Sequence, residues 1–281
     1  MKIENNRKKI FIGLIGLLGI IGLNGCDKIE PEEYTVYDGA VVNWMDNTTS
    51  VEPVQRVYVE KFTGPRCSNC PLADVTLEGI HNDKVIMVSI NHPTGQGTPY
   101  PNQPDMRTTG GNEWDKYFGI NAIPTAFINR DRTEQFQGDM SNIVGAINQA
   151  LTEEPIVAID LHSTLKNNMV DVSAYMHFEK DYPNQVTLTV ALVEDSLVYK
   201  QLLPDGTIDE EYAHNHMLRK VVTSYWGTTI PIEVKKGDGL TGSLEFMLDN
   251  DFVVEHCHLV AFVSDKKSRK VLNCASCEIG N

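Results

Sequence analysis

Cys67 and Cys70 stand two residues apart in "TGPRCSNCPLADVTLEGI", with Arg66 in front and Pro71 behind. Thiols at that spacing suit a disulfide that opens and closes, half of a zinc site, or a permanently closed bridge. Zinc needs two more ligands, and zinc ribbons carry a second such pair about 15–20 residues away. The other Cys-x-x-Cys here, Cys274 and Cys277, lies far downstream, so zinc is set aside. Exchange and a structural bridge both stay open. For exchange the local physics is favourable. Cys67 precedes a segment with helical spacing, where unpaired backbone N–H groups carry partial positive charge. Arg66 adds a formal cation. Both favour the thiolate, which makes Cys67 the attacking and leaving sulfur. Cys70, one turn on and more buried, is the resolving thiol. The chemistry needs no cofactor and no metal.

The elements that must hold this pair follow from the apolar pattern. "VQRVYVEKF" (54–62) reads as a strand, and "PLADVTLEGI" (71–80) as a helix with proline in its first turn. "KVIMVSIN" is a strand covered on both faces, "NEWDKYFGI" a short helix and "IPTAFINR" a strand entered through Pro124. "TEQFQG" adds a strand and "MSNIVGAINQALTE" a helix. Between them "HPTGQGTPYPNQPDMRTTGG" is a Pro/Gly-rich loop too long for a mere connector. This order, with Cys-x-x-Cys after the first strand and Ile-Pro before the third, matches an α/β thioredoxin-like fold over residues 54–154. In that fold the proline is cis and lies beside the disulfide, so Pro124 joins Cys67 and Cys70 as a site residue. His92 and residues 105–111 lie on the same sheet edge and are candidates for a substrate rim. A solvated loop role suits His92 better.

Beyond Glu154–Pro155 the texture changes to short alternating runs separated by turn residues. Seven or more strands without a clear helix predict an all-β antiparallel sandwich over residues 155–281. His214 and His216 share a face if extended, as do His256 and His258. Nothing in the sequence joins the two pairs, and structural roles are expected. "PDGTIDEE" lacks the acid spacing of a calcium loop. Cys274 and Cys277, if on one strand, sit about 10 Å apart on opposite faces, too far for a bridge. A hairpin pairing Ser264 with Lys270 places Cys257 opposite Cys277. That register predicts a structural Cys257–Cys277 disulfide and leaves Cys274 free.

The first residues bear on compartment. Lys8 and Lys9 precede the apolar run "IFIGLIGLLGIIG", and "LNGC" follows, ending at Cys26. The pattern predicts a secretory signal over residues 1–25 and lipidation at Cys26. Residues 26–53 begin as an acidic tether, and "YTVYDGAVV" reads as an edge strand. Losing Lys2, Arg7, Lys8, Lys9 and Glu4 takes the net charge from −14 to −17. A surface this acidic argues against nucleic acid as a partner. The expected partners are the membrane, through the lipid, and protein thiols or disulfides.

"EKFTGPRCSNCP", "FGINAIPTAFINR" and "YAHNHMLRKVVTSYWG" resemble the Omp-twenty-eight-related outer membrane lipoprotein family. The resemblance implies a thioredoxin-like domain joined to a β-sandwich, anchored at the outer membrane; the acidic residues after Cys26 resemble the surface-export signals of some Gram-negative lipoproteins. Members often carry two acids before the "FTG"; here Lys61 replaces the second, removing a base that would relay protons beneath the disulfide. Two functions follow: thiol–disulfide exchange at Cys67 and Cys70, or a non-catalytic surface adhesin that keeps the scaffold for its shape.

Overall fold

Among the described residues, runs rich in Val, Ile and Phe become strands and three segments become α-helices. The computed structural model describes residues 39–280. In chain order the elements are β1 (Asn43–Asp46), β2 (Val57–Thr63), α1 (Cys70–Glu78), β3 (Val85–Asn91), α2 (Thr109–Phe118), β4 (Thr125–Ile128), β5 (Gln135–Gln137) and α3 (Ile143–Ala150). Then follow β6 (Val157–Lys166), β7 (Met169–Phe178), β8 (Val186–Glu194), β9 (Leu197–Leu202), β10 (Ile208–His214), β11 (Met217–Val221), β12 (Thr228–Thr229), β13 (Gly239–Met247), β14 (Cys257–Asp265) and β15 (Val271–Glu278).

β2 and β3 are buried along their whole length because helices cover both faces. They pair in parallel, Val57 with Val85 through Thr63 with Asn91, and β4 joins β2 from the other side, antiparallel. Alternation divides β2 between two cores. Val57 and Val59 pack with Ala73 and Leu77 of α1 and Ile143 and Ile147 of α3. Tyr58 and Phe62 pack with Trp114 and Phe118 of α2.

After Pro155 the chain builds a second layer. The sheet β1-β13-β7-β6 lays Leu240, Leu244, Val172 and Ile159 against Leu188, Val190, Leu259 and Ala261 of β8 and β14. Of the expected edge strand over 34–42, residues 34–38 lie outside the described residues; the edge strand that is described, β1, begins at Asn43. Its register against β13 is fixed by Gly242, where a Cβ would stand 3.0 Å from the Trp44 ring.

β8 and β14 belong to a long sheet ordered β15-β14-β8-β11-β3-β2-β4-β5, with β12 beside β8. Strands from both sides of Glu154–Pro155 therefore share one sheet. The joint is a parallel contact of Met217 on β11 with Ser89 on β3. There the Ser89 N–H donates to the His216 carbonyl at 2.6 Å. The sheet curls. Laid flat, the four spacings from β2 to β14 would cover about 19 Å, yet the Tyr58 and Phe262 rings are 4.7 Å apart. Within the curl, Arg130 and Glu60 form a buried ion pair at 2.6 Å.

The β14–β15 hairpin corrects the expected disulfide. Ser264 pairs with Val271 rather than Lys270, and an irregularity between Val263 and Ser264 adds a further slip, so Leu259 stands opposite Cys277. Cys257, Cys274 and Cys277 are unbridged. Burial pushes the Cys257 and Cys274 thiols up to about 12 and Cys277 up to about 11, which keeps them protonated and inert at neutral pH.

Asn273 at the slip gives its physical reason. Its fully buried side chain donates to the Val54 and Val157 carbonyls at 2.9 and 2.7 Å and accepts the Arg56 N–H at 3.0 Å. It ties β15 to the starts of β2 and β6. Asn273→Leu should cost about 3 kcal/mol in urea unfolding, since buried backbone groups lose their partners; a loss under 1 kcal/mol would show that water replaces it.

Candidate functional site: a disulfide beneath a hairpin

β2 ends at Thr63, and the chain turns through Gly64, Pro65 and Arg66 before α1. The Gly64 turn lies tight against the long loop: a Cβ there would meet the Gln96 carbonyl at 2.4 Å. Cys67 sits in the turn and Cys70 is the first residue of α1, with Pro71 behind it. Asn69 caps α1 without a side-chain hydrogen bond, so the first-turn dipole acts near the sulfurs. The two cysteines are joined in a disulfide, Cα to Cα 5.4 Å. Cys67 Sγ lies 3.6 Å from the Ile123 carbonyl oxygen, and the Ile123–Pro124 peptide is cis. The structure thus brings Cys67, Cys70 and Pro124 together.

Two expectations change here. The Arg66 guanidinium donates to the Thr98 and Pro99 carbonyls at 3.1 and 2.8 Å and lies 4.4 Å from the centre of the Tyr100 ring. It holds the loop; its donors are engaged there. The sequence predicts that Cys70 is the more buried of the two sulfurs, whereas both residues are 1% exposed.

The cover is the β9–β10 hairpin. The Leu202 N–H donates to the Pro65 carbonyl at 2.8 Å. Gln201, itself buried, donates from its side chain to the Cys67 carbonyl at 2.9 Å. On the returning strand, the Tyr212 hydroxyl donates to Asp74 Oδ2 at 2.8 Å. The Lys200 N–H donates to Gln103 Oε1 at 3.2 Å, tying the hairpin to the long loop as well. The sequence reading passed over both strands. The turn "PDG" between "LVYKQLL" and "TIDEEYAH" is the signal that marks them.

Beneath the hairpin lies a polar cluster. Lys61 Nζ hydrogen-bonds Asp74, so a carboxylate from α1 stands where β2 supplies a lysine. Burial, and then the Asp74 charge, push the Tyr212 hydroxyl upward. Burial pushes His214 down to about 4, leaving it neutral at pH 7.

The remaining candidates separate. His92 is partly buried, its Nδ1 2.7 Å from Asp115 Oδ2; desolvation raises the Asp115 pKa. Within residues 105–111, Arg107 pairs with Asp105, and the Thr108 hydroxyl accepts the Gly111 N–H at the start of α2. Several of these residues line a hollow with Arg219, Lys220 and Tyr225 that includes neither cysteine. The paired histidines part company: His214 faces the disulfide's polar cluster, His256 is exposed, and His216 and His258 meet with ring centres 6.3 Å apart. Cys26 lies outside the described residues. Among those described, no helix is long and apolar enough to cross a membrane.

The sequence model of the family described as Outer membrane protein Omp28 matches residues 111–281, more than half of the chain. The chain belongs to the Omp28 family. Membership places it at the outer membrane. Among solved structures it is similar to HBP35 of Porphyromonas gingivalis, at 17% identity and a TM-score of 0.64, covering 82% of this chain and 77% of that one. That likeness shows a shared fold. A domain of the outer membrane lipoprotein Omp28 from Porphyromonas gingivalis aligns at 20% identity over 45% of this chain and 89% of that one, with a TM-score of 0.33. No curated protein sequence matches this Omp28 family member.

Proposed function

We propose that this outer membrane protein has a thioredoxin-like scaffold, is anchored through lipid on Cys26, and performs thiol–disulfide exchange at Cys67 and Cys70 beneath a hairpin that must lift. The observation that carries the reading is the position of Cys67 Sγ, ahead of α1 and 3.6 Å from the Ile123 carbonyl that precedes Pro124. A client strand lying along Ile123 would bring its own sulfur to Cys67.

From the oxidised form, a client thiolate attacks Cys67 Sγ. The Sγ–Sγ bond breaks and its electron pair leaves on Cys70. A second client thiolate then attacks the client's own sulfur in the mixed disulfide and displaces Cys67 as thiolate. The client ends oxidised and the pair reduced; the reverse sequence resets it. Asp74 is four residues after Cys70, on the same face of α1. The Lys61–Asp74 pair offers positive charge to the departing Cys70 thiolate and, in the reverse sequence, a carboxylate to take the proton of the Cys70 thiol.

The burial of both sulfurs favours a second reading, a closed bridge inside a non-catalytic surface adhesin. Cys70→Ala separates the two. It should trap disulfide-linked clients in cells, seen on non-reducing gels, with more captured when Leu202→Pro loosens the hairpin. An empty trap in both backgrounds favours the closed bridge.

A further inference from the structure

A second cluster lies at the far end of α1. Glu78, the last residue of that helix, His81 and His216 each offer a ligand atom, and these atoms lie within 4.8 Å of one another. Asp195, His216 and His258 form an overlapping set on the other side of the same imidazole. His216 Nε2 is 3.2 Å from Glu78 Oε1, and its Nδ1 is 3.3 Å from Asp195 Oδ1. Both nitrogens are buried, and neither contact has hydrogen-bond geometry. The His81 and His216 ring centres are 4.4 Å apart.

A neutral imidazole has one N–H and one lone pair. With the N–H directed at Asp195, the lone pair of Nε2 confronts the Glu78 carboxylate. That arrangement is repulsive unless a cation, a proton or a metal ion, stands between them. The metal fits the donor set. Bonds of 2.0–2.1 Å to a tetrahedral ion separate its ligands by about 3.3 Å, close to the spacing of Nε2 and Oε1. The protein also supplies an outer shell, because a carboxylate on the free N–H of a ligating histidine orients the ring and strengthens it as a donor. Asp195 Oδ1 stands 3.3 Å from Nδ1, near enough to take that place once the ring turns to bind a metal, and it is itself fixed by the His216 backbone N–H at 2.6 Å, with His258 Nδ1 3.5 Å from its other oxygen. Glu78 and His81 are exposed, which opens a route for the ion.

We propose that Glu78, His81 and His216 Nε2 bind a divalent transition-metal ion of the zinc class, with water completing the shell and Asp195 orienting His216. The location gives the site a consequence, which rests on the exchange reading above. Asp195 stands two residues before the β9–β10 hairpin and His216 two residues after it. An ion held there pins the base of the hairpin to the helix that begins with Cys70.

The test is titration of the untagged full chain with Co2+ alone, followed by its visible absorption, with Zn2+ as competitor. One equivalent should bind with tetrahedral-type bands that zinc displaces. His81→Ala and Glu78→Gln, both at exposed positions that folding tolerates, should weaken binding at least tenfold, and His162→Ala should not. No bands, or equal binding in all variants, overturns the site and leaves the thiol chemistry untouched. Amide exchange in Leu197–Leu202 should slow several-fold with Zn2+ in the parent and not in His81→Ala. Unchanged exchange with intact binding would remove the link to the hairpin.

Discussion

Leu202→Pro combined with Gln201→Ala should accelerate reduction of the Cys67–Cys70 disulfide about 30-fold. The two changes remove the Leu202 N–H bond to Pro65 and the Gln201 bond to Cys67, both spanning the covered sulfurs. Each is worth about 1 kcal/mol net, and 1.4 kcal/mol is roughly a factor of ten in the open population. Attack on a covered group tracks that population when closing outpaces reaction. Proline is tolerated on an edge strand, and β9 lies in a two-stranded sheet with β10, where each strand is an edge. The measurement is the rate at which a phosphine reductant opens the disulfide, read as thiols released. Val198→Ala, an exposed change in the same strand, serves as control and should leave the rate within twofold. A double variant no faster than the parent would mean that these two bonds do not hold the cover shut.

The second large effect concerns stability. Glu60→Gln should cost about 3–5 kcal/mol in urea unfolding, because it leaves the Arg130 guanidinium charged and uncompensated in the core. Arg130 and Glu60 are 1% and 0% exposed in their side chains. The guanidinium lies 4.1 Å from the Trp114 ring centre and 4.7 Å from that of Phe262, and Tyr58 donates to Glu60 Oε1. Domains are commonly stable by about 5–15 kcal/mol, so this one atom pair decides much of the total. Removing both charges with Glu60→Leu and Arg130→Met together should cost clearly less than those two single changes added together. Strict additivity would show that the two groups do not interact.

The parts legible in the sequence are those that depend on near neighbours. β2, β3 and β4 follow from short apolar runs, and α1 from helical spacing behind Pro71. The disulfide and Pro124 meet because turns place them at one edge of those strands. Elements assembled from distant residues were harder to see. β9 and β10 bury little of either face, so their alternation is faint, and the acidic "TIDEEYAH" hides a strand whose value lies in contacts with the disulfide turn. The β14–β15 register slipped because of a buried asparagine whose partners are far away in sequence. The single contact between β11 and β3 unites two regions that differ in texture. It also carries His216 to the end of α1, where no pattern along the chain pairs it with His81.

The reduction potential of Cys67–Cys70, measured by equilibrating the full chain with glutathione buffers, tests the exchange reading most directly. A pair that trades electrons with clients should lie between about −120 and −270 mV, the span of known oxidoreductases. A value below about −300 mV, where permanent bridges of exported proteins fall, would contradict exchange and leave the hairpin as mere packing over a fixed staple.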